Sequence, residues 1–279
     1  MKVFRYWKRV EGTLNIPGMP PQRATVYGAS DLSSEDAEAD AGKKLELIQK
    51  RILGGRSRVS ENYISPIREE VLSSPGPGNI ITRNRYGAQV LNSETLFFAD
   101  VDDNCFRRRR PGWLGKLLGR REESVAEFRE RILARTLEKL SDPLPANAHI
   151  RIYRTRAGYR ILISGAELAP GSPAAAKLLK KLRSDRLYTM LCARQQCYRA
   201  RLSPKPSRIG VKTPRLNYPY APESLPELEK WLREYEEKSA RCAVCRLVKT
   251  LGEPPLKSAR SMIQAHDAAC RADSDLPLA

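Results

Sequence analysis

A 279-residue chain is long enough to bury a sizeable core, as one large domain or two smaller ones, and 41% hydrophobic with 29% charged residues fits an ordinary soluble protein. No apolar stretch approaches the ~20 residues that span a bilayer, and the first nine residues lack the apolar core of a secretion signal, so a cytoplasmic chain with its six cysteines reduced is expected. The net charge of +18 is concentrated: residues 105–121 hold seven Arg or Lys and no acid, residues 177–215 hold twelve opposed only by Asp185, and the remainder is neutral, which suggests a polyanionic partner, nucleic acid or a membrane surface.

Met1 to Arg9 reads as an alternating strand, Pro17 to Pro21 as a turn and Ala24 to Gly28 as a second strand. Ser33 then caps a helix whose Ala37, Ala41, Leu45, Ile48 and Ile52 recur at helical spacing until Gly54-Gly55 ends it. Residues 56–80, with Pro66 and the run Ser73-Ser74-Pro75-Gly76-Pro77-Gly78, read as an irregular connection. Strands at Ile80 to Arg83 and Ala88 to Leu91 lead to Leu96 to Asp103, an apolar run ending in carboxylates, and a small antiparallel group is expected around it.

In a strand, residues two apart share a face, so Asp100 and Asp102 point together while Val101 packs behind them. Such a pair can hold magnesium, which takes few protein ligands and completes its shell with water and phosphates, and this suits phosphoryl or nucleotidyl chemistry. The same residues also read as a strand running into an acidic turn, with Asp102, Asp103 and Asn104 as turn formers.

Arg107, Arg108, Arg109 and Arg110 precede Pro111-Gly112-Trp113 in a stretch read as a loop or one interrupted turn. Trp113 could stack on a base while the arginines hold phosphates, or it could anchor the loop to the protein body. Residues 122–140 form an amphipathic helix stopped by Pro143 and Pro145. His149 to Thr155 and Tyr159 to Ser164 are strands joined by a tight turn at Arg156-Ala157-Gly158. Gly158 allows a phosphate near the backbone and Arg160 could hold its charge, although a hairpin glycine with an outward arginine explains both.

Ala174 to Leu182 is a short helix, Asp185 a third acid or a helix cap, and Leu187 to Cys197 a helix or an extended segment. Arg199 and Arg201 share a face if that stretch is extended, and Lys205 follows within a Pro-rich segment, Ser203 to Pro226, that wraps the surface. Leu225 to Ala272 reads as helical in two pieces broken at Gly252 to Pro255.

This order resembles the archaeo-eukaryotic primase and primase-polymerase superfamily over about residues 80–210: an acid pair on a strand, a glycine and a cation on a later hairpin, a further acid, then Arg-x-x-x-x-Pro-Lys. The resemblance implies an RRM-like sheet in which Asp100, Asp102 and Asp185 are catalytic and ligate magnesium or manganese. It puts Arg160, Arg199 and Lys205 on nucleotide phosphates. The family carries histidine where this chain has Arg160, and an arginine binds phosphate without titrating near neutrality. Arg107 to Arg110, Trp113 and Arg201 are the remaining candidates for nucleic-acid contact.

Cys242, Cys245, His266 and Cys270 have the donor types and local spacings of a zinc site. Packing is the favoured explanation, because Cys242 and Cys245 fall inside the apparent helix where cysteine serves as a small apolar residue. His149 and His266 are the only histidines, neither beside a nucleophile elbow, and phosphate-loop and dinucleotide glycine patterns are absent.

The expected fold is α/β in the α+β sense: a central, mostly antiparallel RRM-like sheet with packed helices. Residues 1–79 form an N-terminal strand and helix extension, 80–215 the primase-polymerase-like core and 216–279 a helical C-terminal region. The expected function is nucleic-acid binding, with DNA or RNA and nucleotides as partners and no membrane, and with a metal-dependent nucleotidyltransferase site. The alternative is a non-catalytic nucleic-acid-binding or protein-interaction chain.

Overall fold

The computed structural model describes residues 1–54, 66–119, 121–140, 145, 147–214 and 217–279. Strands β1 (Tyr6–Leu14) and β2 (Gln22–Ser30) pair antiparallel, and α1 (Ser34–Leu53) packs on them. Ser33 caps α1 by accepting a hydrogen bond from the Asp36 amide at 3.0 Å, and Gly54 caps its end. The helix approaches so closely that a Cβ on Gly28 would lie 1.7 Å from the Ala37 carbonyl oxygen, and Ala37 and Ala41 are completely buried there. Gly55, Pro143 and residues 56–65, which the sequence reading also used, lie outside the described residues.

Next come β3 (Glu70–Gly76), β4 (Asn79–Arg83), β5 (Gln89–Ser93), β6 (Phe97–Asp102), α2 (Trp113–Leu117), α3 (Val125–Leu140), β7 (His149–Thr155) and β8 (Gly158–Ser164). The chain continues through α4 (Pro173–Leu182), α5 (Arg186–Gln195), β9 (Tyr198–Arg201), α6 (Leu225–Ser239), β10 (Cys245–Gly252) and α7 (Lys257–Cys270). Two four-stranded sheets result, ordered β10-β7-β8-β6 and β3-β4-β5-β9, and every strand pairing within the sheets is antiparallel. The fold is therefore α+β.

Three expectations are corrected. Part of the supposed irregular connection is β3, a sheet-edge strand whose pairing with β4 shifts register twice. An edge position tolerates Pro75, which cannot donate to a ladder. Secondly, β4 and β5 do not flank the acidic strand. They join β3 and β9, while β6 stands at the edge of the other sheet, paired with β8. The switch occurs after Ser93, whose hydroxyl accepts from the Leu96 amide at 2.8 Å and turns the chain out of β5. Thirdly, the C-terminal region is not wholly helical, because β10 extends the central sheet. A bulge between Leu247 and Lys249 breaks its alternation, so Val244, Leu247, Val248 and Leu251 mimic helical spacing.

Directly paired residues share a face of the sheet. Asp100, Arg160, Tyr153 and Leu247 thus form one row, with Phe98, Leu162 and Arg151 in the next. Helix α7 covers this face, since the Tyr153 hydroxyl donates to Asp267 at 2.6 Å and the His266 ring lies 5.4 Å from that of Phe98. Helix α3 belongs to the opposite face, where the Tyr159 hydroxyl donates to the Arg129 carbonyl at 3.0 Å. The main core joins the two, with Ile132 of α3 and Ile152 and Ile161 of the sheet fully buried.

Gly158 pairs with Asp102 of β6, and a Cβ added to it would lie 2.0 Å from the Val101 carbonyl oxygen. The backbone of β6 therefore requires the glycine that the sequence reading offered to a phosphate. Gly158→Ala is expected to lower the unfolding free energy by about 1–3 kcal/mol, the usual cost of overpacking. Urea denaturation measures this, and an unchanged midpoint would contradict the described β6–β8 register.

Candidate functional site

Asp100 and Arg160 face each other across β6 and β8. The Arg160 guanidinium, only 2% exposed, donates from Nε to Asp100 Oδ1 at 3.1 Å and from Nη1 to the Arg201 carbonyl at 2.8 Å. Burial pushes the Asp100 carboxyl up, but Arg160, followed by Arg201 and His266, more than offsets this and holds it below the usual carboxylate range. Arg160 is thus enclosed on the α7 side of the sheet and does not present its guanidinium to solvent as a nucleotide-binding arginine would.

Asp102, two residues on, is exposed at the end of β6. Partial burial raises its carboxyl above the ordinary range, and the charges of Asp100 and Asp185 push the same way against Arg201 and Lys205. Asp185 caps α5, accepting from the Tyr188 amide at 2.8 Å, while the neighbouring Ser184 hydroxyl donates to the Asp100 carbonyl at 3.1 Å and ties the α4–α5 joint to β6. The three acids thus occupy one neighbourhood, but they are not drawn together as a ligand set. Among the described residues, the only group of three His, Cys, Asp or Glu donors with all ligand atoms within 4.8 Å of one another is Cys245, His266 and Cys270. Cys242 is not part of it.

Beyond β9 lies a cluster of cations. Arg201 and Lys205 line a cavity of about 330 Å³ together with Asn84, Tyr86, Ser207 and Thr213. Burial lowers the pKa of Arg201 and, with Arg160 and Arg208, outweighs the opposing charges of Asp100 and Asp102, while Arg201 is the largest cause lowering that of Lys205, against Asp102. Burial and then Arg156 lower that of Arg208. Within the described residues, the side chains of Arg201, Lys205 and Arg208 have no hydrogen-bond or ion-pair partner. Asp100 and Asp102 offset part of their repulsion from a distance, and an anion in direct contact would relieve the rest.

Of the other sequence candidates, Arg199, Arg108 and Arg110 have side-chain partners, whereas among the described residues the side chains of Arg107 and Arg109 make no hydrogen bond or ion pair. Arg199 donates from Nη2 to both oxygens of Glu69 at 2.6 Å and from Nη1 to Gln195 at 3.2 Å, so it is a structural ion pair and not a free phosphate ligand. The basic stretch after β6 is tied back by the acids that follow it: Arg108 bonds the Glu123 carbonyl and Arg110 the Glu122 carboxylate. Arg131 donates to Glu123 at 2.6 Å and is the main reason its carboxyl falls to about 2. Trp113, at 73% exposure, does not anchor its loop to the body, and the stretch read as a loop or one interrupted turn holds the short helix α2.

Arg156, Arg208 and Tyr86 were not singled out from sequence. Arg208 had a signal, three residues beyond Lys205 in the same basic window, whereas Tyr86 comes from the distant β4–β5 turn. No protein family, curated protein or solved structure matches the chain.

Asp100→Asn leaves a buried guanidinium without its counter-charge. It is expected to cost about 2–3 kcal/mol of stability, below the full value for a broken buried pair because the Asp100 side chain is partly exposed. Asp102→Asn is expected to stay within about 0.5 kcal/mol. A carboxylate whose pKa is lowered on folding stabilises above its unfolded pKa, so the Asp100→Asn deficit should be full above pH ~4 and vanish as pH falls through the lower folded value. Denaturation of both variants across pH checks this, and equal costs at neutral pH would remove the buried-pair interpretation.

Proposed function

We propose that this chain binds nucleic acid through its phosphates at the cationic cluster of Arg201, Lys205 and Arg208, with Arg156 beside them. The observation that carries this reading is that Arg201 and Lys205 line one cavity and that, among the described residues, neither they nor Arg208 has a side-chain hydrogen-bond or ion-pair partner. Phosphate oxygens supply acceptors of the required charge, and neutralising them releases counterions. Tyr86, 46% exposed at the cavity wall, carries the Arg85 guanidinium over one face of its ring and leaves the other face, on which a base can stack.

Metal-dependent nucleotidyl transfer, which the primase-polymerase resemblance implies, is the second reading. It is favoured by Asp102, whose carboxyl is pushed up by Asp100 and Asp185, a repulsion that a divalent cation would relieve. As placed, however, the acids do not fit such an ion. One oxygen of Asp100 is held by Arg160, one of Asp185 by the Tyr188 amide, and the three do not close into a ligand group. No catalytic step is assigned to them.

For nucleic-acid binding, the logarithm of affinity should fall linearly with the logarithm of salt concentration, and Lys205→Ala and Arg208→Ala should each reduce that slope by about 1. Arg199→Gln, whose guanidinium is already enclosed by Glu69, should leave the slope unchanged. Fluorescence anisotropy with single-stranded DNA and RNA across a salt series measures this, and a salt-independent affinity would rule the reading out. Nucleotide incorporation on a primed template with magnesium or manganese, abolished by Asp102→Asn, would support the second reading over the first.

A further inference from the structure

We propose that Cys245, His266 and Cys270 form a buried zinc site that clips the last strand and last helix onto the central sheet. This inference does not depend on nucleic-acid binding. Cys245 opens β10, and His266 and Cys270 lie four residues apart on α7, so both elements bring donors to one point. All three residues are at most 1% exposed. The Cys270 sulfur lies 3.6 Å from His266 Nε2. Zinc–sulfur and zinc–nitrogen bonds of about 2.3 and 2.0–2.1 Å at a tetrahedral angle put those atoms about 3.6 Å apart. The Arg201 carbonyl oxygen, 3.5 Å from the same sulfur, is placed to be a fourth ligand through one lone pair while the other accepts from Arg160.

The surroundings of His266 match those of a metal-bound imidazole. Its Nδ1 is paired with Asp267 Oδ1 at 3.0 Å, which leaves Nε2 facing the thiols. Asp267 is itself held by the Tyr153 hydroxyl at 2.6 Å and Arg151 at 2.8 Å. Binding zinc would release one proton from each thiol, and the two thiolates would cancel the charge of the ion. Arg160 is an opposing charge, with its Nη1 3.4 Å from His266 Nε2. That long contact is the one His266 would give up, while Arg160 keeps Asp100 and the Arg201 carbonyl.

The test uses the full chain purified without a histidine tag. Elemental analysis should find about one zinc per chain, and cobalt(II) exchanged for it should give the thiolate charge-transfer and ligand-field bands of a tetrahedral site. Cys242→Ser should retain the metal, Cys245→Ser and Cys270→Ser should lose it, and Asp267→Asn should weaken binding by about 10–100-fold. If the unmodified chain is metal-free and refolding with excess zinc or cobalt gives neither stoichiometric uptake nor a thiolate band, the proposal is wrong, whether or not the variants fold. Metal that persists in both Cys245→Ser and Cys270→Ser would also overturn it.

Discussion

A guanidinium sealed inside the central sheet constrains everything around it. Arg160 carries a charge that the interior accepts only with acceptors in place. It finds them in Asp100 on the neighbouring strand and in the carbonyl of Arg201 at the end of β9. The first contact fixes β6 against β8. The second joins the central sheet to the other sheet, because β9 belongs to the β3-β4-β5-β9 group. Helix α7 then closes over the pair with His266 and Cys270.

This arrangement divides the acids and bases of the molecule by role. Asp100, though partly exposed, is paired with the buried Arg160 and Asp102 is left at the exposed end of the strand, so two carboxylates that look equivalent in sequence differ in environment. Arg201 is divided in the same way within one residue: its carbonyl serves the buried arginine while its guanidinium lines the cavity beside Lys205. The cation cluster is thus mounted on the same backbone group that satisfies the core.

Much of the fold was legible because it is local. The β7–β8 hairpin, the cap of α1 and the apolar stripe of α3 each follow from residues within a short window, and all are present. Edge strands β3 and β10 were obscured by turn formers and a bulge, since a strand needing only one partner tolerates both. At the candidate site, the sequence indicated that charge was concentrated but not which charges were satisfied. Arg199 is neutralised by Glu69, 130 residues away, and Arg160 meets Asp100 across 60. Such pairings depend on strand register and sheet membership, which no local pattern encodes.

The cover over Arg160 also bears on how the chain is made. His266 lies 106 residues after Arg160, and β10, the outer neighbour of β7, follows α6. A ribosome working from the N-terminus therefore completes β6 and the β7–β8 hairpin before the helix that covers Tyr153 and Arg160 exists and while the β7 edge is open. The central sheet cannot reach its final state domain-first during synthesis. It waits for its last strand and helix, and in that interval the half-made chain exposes the acidic strand and the open edge of β7 to whatever chaperone or ligand is at hand.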